Sequence, residues 1–453
     1  MSELPKGWLN SKLSVVGNTV TGNTPPRKNP EFYDGNIPFV KPGDIDFDKE
    51  LSQAEETLSN LGCGKARVLK KGSVLVTCIG NIGRVGLATQ PMATNQQINS
   101  IEFDDLILPK YAFYYCRTLS SWLKFNASAT TVPIINKSKF SEAPFKVAPL
   151  AEQKRIVEKL DEVLAQVDTI KARLDGIPDL LKRFRQSVLA SAVSGKLTEE
   201  WRGEALNSSW KNILLKEAAH IQDPHPSHRT PKVVEGGVPY ISIGDLCEDG
   251  SIDFDNARKV SFEILKEHNE RYTLKEGDFV FGKIGTLGKA TVLPMGIDYT
   301  LSANVILIQP TLELTVPKYI QYFLSSPLTM EEIAKQANST SQSAFGIKKM
   351  RAFYCSLPPK EEQKEIVRLV DQYFAFANTI EAQVKKAQVR VDNLTQSILA
   401  KAFRGELVLQ DPNDESADKL LERIAKAREE AEALAKAAKK AEAAKKRAAK
   451  ATK

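Results

Sequence analysis

A stretch that occurs twice decides the fold. PLAEQKRIVEKLDEVLAQVDTIKARL begins at Pro149, and PKEEQKEIVRLVDQYFAFANTIEAQV begins at Pro359. Both copies run without a gap into a second matching pair, QSVLASAVSGKL from Gln186 and QSILAKAFRGEL from Gln396, so the offset stays at 210 residues. Apolar residues recur at alternating steps of four and three, and the two ladders coincide. A heptad pattern sustained over about five heptads predicts a coiled coil.

The residues that we assign to this seam are Ile156, Leu160, Val163, Val167, Ile170 and Leu174 in the first copy, and Ile366, Val370, Ile380, Val384, Val391, Leu394 and Ile398 in the second.

The duplication extends beyond the helices. GNIPFVKPGDI from Gly35 parallels GGVPYISIGDL from Gly236 at an offset of 201, and KKGSVLVTCIGNIGRVG from Lys70 parallels KEGDFVFGKIGTLGKAT from Lys275 at 205. The offset grows only before the helices, because loops absorb insertions and a seam in register does not. We predict an α+β chain with mixed domains at 1–149 and 203–358, helical regions at 150–202 and 359–408, and a tail at 409–453.

Three further segments allow predictions of local structure. The stretch from Lys110 to about Phe125 reads as helical. Pro178 lacks an N–H group and crowds the carbonyl of Leu174, so we expect a kink or a short break in the first long helix. The Ala/Lys/Glu-rich tail has high helix propensity but little apolar surface, which predicts a frayed or solvated helix or a basic arm.

Composition narrows the class of protein. The net charge of +7 is mildly basic, which is compatible with nucleic-acid binding without requiring it. No apolar run is long enough to span a membrane, and the start MSELPKGW lacks the apolar core of a signal peptide, so we expect a cytoplasmic protein. The five scattered cysteines never form C-x-x-C and indicate reduced, structural thiols.

A glycine-rich loop of the form I-G-x-[IL]-G-[RK] occurs in both globular regions, at Ile79–Arg84 and Ile284–Lys289. Glycines allow a backbone to approach another surface closely, and the terminal cation suits a phosphate or a guanine edge. The alternative is a tight turn between strands that happens to end in a cation. The loop residues that we select as candidate DNA contacts are Asn81, Arg84, Thr286 and Lys289.

Polar segments near these loops supply further candidates. Asn and Gln can make paired hydrogen bonds to adenine in the major groove, although ordinary turn capping explains the same residues. Two proline-flanked loops, TPPRKNP and DPHPSHRTPK, add cations and histidines, but an H-x-x-H without a second cluster does not predict a metal site. The residues selected from these segments are Asn95, Gln96, Gln97, Asn304, Arg27, Lys28, His228 and Arg229.

Enzyme signatures are missing or imperfect. The chain has neither G-x-x-x-x-G-K-[ST] nor G-x-S-x-G. Asn29–Phe32 approaches the [DN]-P-P-[YF] pattern of amino-methyltransferases, but Glu31 replaces the second proline. Glu152-Gln153-Lys154 matches the end of a nuclease motif yet opens a helix, where the macrodipole favours acidic residues. We therefore predict a chain without catalytic or metal sites.

The two ladders, the PLAEQKRIVEKL and PKEEQKEIVRLV segments, LTEEWR after the first helix and SILAKAFRGEL at the end of the second resemble the specificity subunit (HsdS) of type I restriction–modification systems. The LPKGW start and the glycine-rich loops fit as well. The resemblance covers residues 1 to about 408 and is most specific in the helices. The family implies this unevenness, because its globular halves are target-recognition domains that vary with the DNA sequence read.

The resemblance implies a non-catalytic DNA reader in bacterial defence. Each recognition domain reads a few base pairs of double-stranded DNA in a major groove, and the target is bipartite and asymmetric. The two helices pair as an antiparallel intramolecular coiled coil that separates the domains and docks two methyltransferase (M) subunits. Restriction/motor (R) subunits can join them. S-adenosylmethionine, ATP and magnesium are expected on these partners and no cofactor on this chain.

Geometry fits that scheme independently. A domain–helix duplication can close on itself with pseudo-two-fold symmetry. A helix of about 40 residues is about 60 Å long, which exceeds the separation of about 34 Å between half-sites one DNA turn apart. We hypothesise that the coil sets the length of the unread spacer. A coiled-coil scaffold that assembles proteins and never reads DNA remains the alternative.

Overall fold

A computed structural model of the chain describes residues 4–45, 49–128, 132–203, 209–225, 229–247, 250–282, 290–337 and 345–451. Its contacts divide the chain into two compact units, Met1–Arg173 with Ala387–Lys453, and Leu174–Lys386. Each unit holds one globular α/β domain and a part of each long helix. The division cuts through both helices, so the domain bounds drawn from the sequence stay predictions.

The first domain is built on two sheets and a strand pair. Its strands are β1 (Leu9–Lys12), β2 (Gly17–Thr21), β3 (Tyr33–Val40), β4 (Glu50–Leu51), β5 (Glu56–Leu58), β6 (Val68–Leu69), β7 (Val74–Thr77), β8 (Val85–Ala88), β9 (Met92–Thr94), β10 (Ile98–Phe103) and β11 (Pro144–Val147). The sheet orders are β2-β10-β7-β8-β4 and β5-β3-β9-β6, and β1 pairs with β11. Every residue of β7 is buried, as a central strand with both faces covered requires.

Within the described residues of this domain, five short α-helices accompany the strands, and the first long helix follows them. They are α1 (Leu13–Val16), α2 (Asn60–Cys63), α3 (Pro109–Cys116), α4 (Ser120–Phe125), α5 (Lys137–Ser141) and the long α6 (Leu150–Val193). The stretch from Lys110 to about Phe125 is helical as predicted, and it is divided into α3 and α4. At the division the Thr118 hydroxyl donates to the carbonyl of Tyr115 (2.7 Å), a local bond that competes with helix continuation.

The second domain repeats the plan of the first. Its strands are β12 (Lys211–Leu214), β13 (Ala219–Gln222), β14 (Val238–Ile241), β15 (Lys259–Val260), β16 (Phe279–Gly282), β17 (Thr291–Val292), β18 (Thr300–Leu301), β19 (Val305–Pro310) and β20 (Tyr354–Leu357). Its sheets are β13-β19-β16-β17, β15-β14-β18 and β12-β20. These match β2-β10-β7-β8, β5-β3-β9 and β1-β11 strand for strand, including the parallel pairs β3–β9 and β14–β18.

The remaining helices are α7 (Glu199–Arg202), α8 (Leu215–Ala218), α9 (Phe262–Arg271), α10 (Pro317–Ser325), α11 (Pro327–Ala337), α12 (Ile347–Arg351), the long α13 (Lys360–Ala402) and the tail helix α14 (Ala417–Ala451).

Helices α6 and α13 pack together antiparallel, which confirms the predicted fold class. In the second unit, Arg185 contacts Glu381 at 3.0 Å, whereas Arg202, further along the chain, contacts Glu362 at 2.7 Å. As the residue number rises from 185 to 202, the number of the α13 residue that is contacted falls from 381 to 362, as antiparallel packing requires. In the first unit, Lys171 contacts Asp392 at 2.8 Å.

Most of the predicted seam is covered. Seven of its residues are buried, namely Ile156, Leu160, Val167, Ile366, Val370, Val384 and Ile398, and Val163, Leu174, Ile380 and Val391 are half-buried. Ile170 and Leu394 are each 45% exposed, so the structure does not bear out burial at these two positions. The break considered at Pro178 is also absent, because α6 is continuous from Leu150 to Val193. Pro178 is exposed, where the carbonyl that it leaves unpaired can meet solvent.

Each globular domain is joined to its long helix by the same buried contacts. The Trp8 indole Nε1 donates to Glu152 Oε2 at 2.9 Å, and Trp210 Nε1 donates to Glu362 Oε2 at the same distance. Both carboxylates are buried in the first turn of their helices. Glu362 receives two further bonds of 2.7 Å, from the Thr198 hydroxyl and from Arg202.

The neighbouring glutamine extends this joint. Gln153 accepts from the backbone N–H of Leu108 (3.0 Å), and Gln363 accepts from that of Val316 (2.7 Å). The acidic first turns of α6 and α13 are therefore structural attachment points.

The tail is not a purely solvated helix. Ala417, Leu420 and Ile424 of α14 are buried in the core of the first unit, and Arg428 contacts Asp104 at 2.8 Å. None of the described helices combines the length and the apolar character needed to cross a membrane. All five cysteines are free, and Cys78, Cys116 and Cys355 are buried.

Candidate nucleic-acid interface

The glycine-rich loop of the first domain is the turn between β7 and β8. Gly80 and Gly83 have φ angles of 71° and 92°, a left-handed backbone that favours glycine. The Thr77 hydroxyl donates to the carbonyl of Asn81 (2.5 Å) and accepts from the backbone N–H of Arg84 (3.0 Å). The loop is therefore a turn between two strands, and it presents the exposed side chains of Asn81 and Arg84 from a fixed backbone.

The side chains of Asn81 and Arg84 also hold each other. With its amide oxygen turned towards the guanidinium group, Asn81 accepts two hydrogen bonds of 3.0 Å from Arg84. A guanidinium group fixed in this way loses less conformational entropy on meeting a base edge or a phosphate.

The polar turn at residues 94–97 lies beside this loop. The carbonyl of Gln97 accepts from the backbone N–H of Cys78 at 2.9 Å, immediately before the glycine-rich loop. Asn95 is buried and exchanges hydrogen bonds of 2.9 and 3.0 Å with Gln97, so its side chain builds the turn. Gln96 is exposed and accepts from the Thr24 hydroxyl at 2.8 Å.

A close backbone approach fixes the other side of this turn. A Cβ atom on Gly22 would lie 2.1 Å from the carbonyl oxygen of Asn95, so only glycine fits. The backbone N–H of the next residue, Asn23, donates to the carbonyl of Thr94 at 2.9 Å. The segment that leads to Arg27 and Lys28 is thereby attached to the polar turn.

The charge of Arg27 is shared with a carboxylate. Arg27 lies 2.8 Å from Glu56 and 5.0 Å from the ring centroid of Tyr33, and Lys41 also pairs with Glu56. Burial would raise the pKa of Glu56, but the hydrogen bonds from Lys41 and Arg27 hold it below its ordinary value. Lys28 is exposed beside this group. Arg27 and Lys41 therefore share one carboxylate. Sequence analysis missed Lys41, whose position in GNIPFVKPGDI was the available signal.

The second domain repeats the frame of this surface. The backbone N–H of Ser302 donates to the carbonyl of Ile241 (2.8 Å), as that of Asn95 donates to Val40 (3.2 Å). This register aligns Asn304 with Gln97. Asn304 is exposed and lines a polar cavity of about 260 Å³ together with Thr230, Tyr240, Ser242, Arg258 and Ser302. Sequence analysis missed Arg258, which no motif distinguishes.

A buried histidine pair supports the adjoining loop. His225 Nδ1 lies 2.8 Å from His268 Nε2, and His268 Nδ1 contacts the Thr300 hydroxyl. Burial, with the charges of His225 and Arg271, lowers the pKa of His268 to about 4. His225 Nε2 lies 3.3 Å from the carbonyl of Arg229, an exposed candidate.

Some candidates cannot be placed. His228, Thr286 and Lys289 lie outside the described residues. Over the part of the chain that is described, no group of three His, Cys, Asp or Glu side chains is arranged to hold a metal ion. The remaining candidates stay predictions as DNA contacts. In the first domain the structure gathers Arg27, Lys28, Asn81, Arg84, Gln96 and Gln97 onto linked turns, and it reassigns Asn95 to building one of them.

Comparison with known proteins gives consistent matches. The family model described as "Type I restriction modification DNA specificity domain" matches residues 5–179 and 207–390. The EcoBI specificity subunit of Escherichia coli is 34% identical over 446 residues, covering 93% of this chain and 92% of that protein. The EcoKI specificity subunit of Escherichia coli K12 is 33% identical over 457 residues, covering 94% and 96%.

Solved structures share the fold. A chain from a study of assembly and conformational transition in a type I restriction–modification system matches with a TM-score of 0.66 at 20% identity, covering 90% of this chain and all of that one. The HsdS subunit of Thermoanaerobacter tengcongensis matches with a TM-score of 0.56 at 20% identity, covering 89% and 98%.

Proposed function

The chain belongs to the family of type I restriction–modification specificity subunits, and from that membership we propose that it is the DNA-reading subunit of such a system. It reads double-stranded DNA through its two globular domains and catalyses nothing itself. Its partners are two methyltransferase subunits, through which restriction subunits join. S-adenosylmethionine, ATP and magnesium belong to those partners.

One observation carries the proposal. The same strand frame presents different side chains in the two domains, with Gln96 and Gln97 on one turn and Ala303 and Asn304 on its counterpart. A rigid frame with variable side chains suits readers of base edges, where side-chain identity decides the base. Because the two sets differ, the target consists of two different half-sites separated by a spacer that neither domain reads.

The exposed cation of the glycine-rich loop in the first domain supports DNA as the ligand. Arg84 is exposed and positioned by Asn81, which suits paired hydrogen bonds to guanine or to a phosphate. Removing such a contact costs about 1–3 kcal/mol, or about 5- to 150-fold in affinity.

The experiment is duplex binding by the chain reconstituted with its methyltransferase partner. Arg84→Ala and Lys289→Ala should each weaken binding to the target duplex about fivefold or more and leave assembly intact. Arg404→Ala is the matched control, because Arg404 is exposed and pairs with Glu406 after the end of α13. Unchanged binding in both test variants, or no duplex binding by the assembled complex, would favour a protein-assembly scaffold instead.

The proposed role of the coil is to set the spacer. Helices α6 and α13 pack antiparallel, so one heptad removed from each keeps the seam in phase. Such a deletion shortens each helix by about 10 Å. We expect it to change the preferred spacer or abolish recognition, while each half-site sequence stays the same. An unchanged spacer would contradict this role.

A further inference from the structure

The tail helix α14 is attached to the first unit by specific contacts. Leu420 and Ile424 are buried one helical turn apart in the core of that unit. One turn further, Arg428 pairs with Asp104 at 2.8 Å and donates to the backbone carbonyl of Ser14 at 2.9 Å. These contacts hold the helix on the globular domain up to residue 428.

The charge of α14 changes sign along its length. Residues 417–434 contain four basic and five acidic residues, whereas residues 436–451, the distal arm, contain seven basic residues and one acidic residue, Glu442. The helix macrodipole favours cations near a C-terminus, but its effect is limited to about the last turn. The excess of cations covers the last 16 residues of the helix, so helix stability alone does not explain it.

The composition of the distal arm indicates the class of its partner. From Ala435 to Ala451 alanine is the only apolar residue type, so no large side chain is available to fill a pocket on a protein. Protein interfaces depend on aromatic and other large anchors and are depleted in lysine. Closely spaced cations without such anchors suit the regular phosphates of a nucleic acid.

We propose that the distal arm contacts the phosphate backbone of the duplex DNA that the chain binds. The contact is independent of sequence and adds affinity without changing the bases recognised. Arg428 and Ala451 are separated by 23 residues, or about 35 Å of helix, which is about one turn of duplex. This inference rests on the proposed function of the chain as a DNA reader.

Salt dependence provides the readout. Each phosphate that a protein neutralises adds about 0.9 to the slope of the logarithm of affinity against the logarithm of salt concentration. Changing Lys439, Lys440, Lys445, Lys446 and Arg447 together to Gln keeps a helix-favouring sequence and removes five charges. We expect this variant to reduce the slope by about two to four and to weaken binding at least tenfold at physiological salt.

Two smaller variants match each other in charge. Lys439→Gln with Lys440→Gln alters the distal arm, and Lys419→Gln with Lys426→Gln removes the same charge from the exposed side of the anchored part. The distal pair should reduce the slope by about one to two, and the proximal pair should leave it unchanged. Binding is measured with the chain assembled with its methyltransferase subunits, on target and non-target duplexes.

The outcomes separate this inference from the proposed function. If the wild-type complex prefers its target and the five-residue variant keeps both the target and the salt slope, the arm does not contact DNA, although the proposed function stands. The inference is also overturned if the slope is kept and the methyltransferase subunit is lost, because the arm is then a protein contact. Wild-type complex that binds no duplex contradicts both proposals.

Discussion

Trp8→Phe tests whether the buried joint between the first globular domain and α6 is as tight as its geometry indicates. The substitution removes the indole donor that lies 2.9 Å from Glu152, and both residues are buried. A hydrogen bond to a charged group contributes about 1.5–3 kcal/mol, and the smaller ring adds about 1 kcal/mol for the void. We expect a loss of about 3 kcal/mol in the free energy of unfolding of that unit.

Trp210→Phe is the matched control, because it makes the same change in the second unit. Trp210 is only half-buried, and its carboxylate Glu362 keeps the donors Thr198 and Arg202. The loss should be about 1 kcal/mol. In differential scanning calorimetry, at about 2–4 °C per kcal/mol, Trp8→Phe should lower its transition by about 6–12 °C and Trp210→Phe by about 2–4 °C.

The cost of Trp8→Phe should also depend on pH. Burial raises the pKa of Glu152, and the hydrogen bond from Trp8 opposes that rise. A buried carboxyl group whose pKa is raised in the folded state lowers the free energy of unfolding when it is ionised. This destabilisation therefore grows as the pH rises through that pKa. The cost of Trp8→Phe should therefore shrink as the pH falls towards 4.5. An equal cost for the two tryptophans, or a cost independent of pH, would refute the reasoning.

Three further predictions concern packing, pH and backbone. Ile398→Ala should cost about 2–4 kcal/mol and Leu394→Ala under about 1 kcal/mol by urea unfolding, because only Ile398 is buried; equal costs would contradict this. The pKa of His268 is depressed to about 4, so between pH 6.5 and pH 4 the unfolded state binds a proton at this residue more readily than the folded state does. The free energy of unfolding of the second unit should therefore be unaffected by this group above pH 6.5 and fall by up to about 3 kcal/mol towards pH 4. His268→Gln should flatten that part of the stability profile, and an unaltered profile would exclude this origin. Gly22→Ala should weaken target binding at least tenfold, measured on the assembled complex, because its Cβ overlaps the Asn95 carbonyl; wild-type affinity would show that the turn relaxes.

The sequence was most informative where one physical constraint acts at every position. A seam with a constant offset of 210 residues predicted both long helices, because register allows no insertion, and the family resemblance implied that they pair. Periodicity identifies the apolar face of a helix but not how far a partner covers it. It therefore assigned Ile170 and Leu394 to the seam, although each is 45% exposed.

Features that depend on distant partners were beyond sequence analysis. Leu420 and Ile424 are too few to mark a buried face within an Ala/Lys/Glu-rich tail, and the pairing of Arg428 with Asp104 joins positions 324 residues apart. Likewise, nothing in TPPRKNP reveals that Arg27 shares Glu56 with Lys41. Candidate cations could be named from the sequence, but their counter-ions required the fold.

A base-resolution methylation map tests the central claim most directly. The genome of a host that carries this chain with its methyltransferase partner is compared with that of the same host lacking only this chain. The account predicts adenine methylation at one bipartite motif with two different half-sites and a fixed spacer, present only with the chain. A map that is identical without the chain, or a methylated motif with a single half-site, would contradict it.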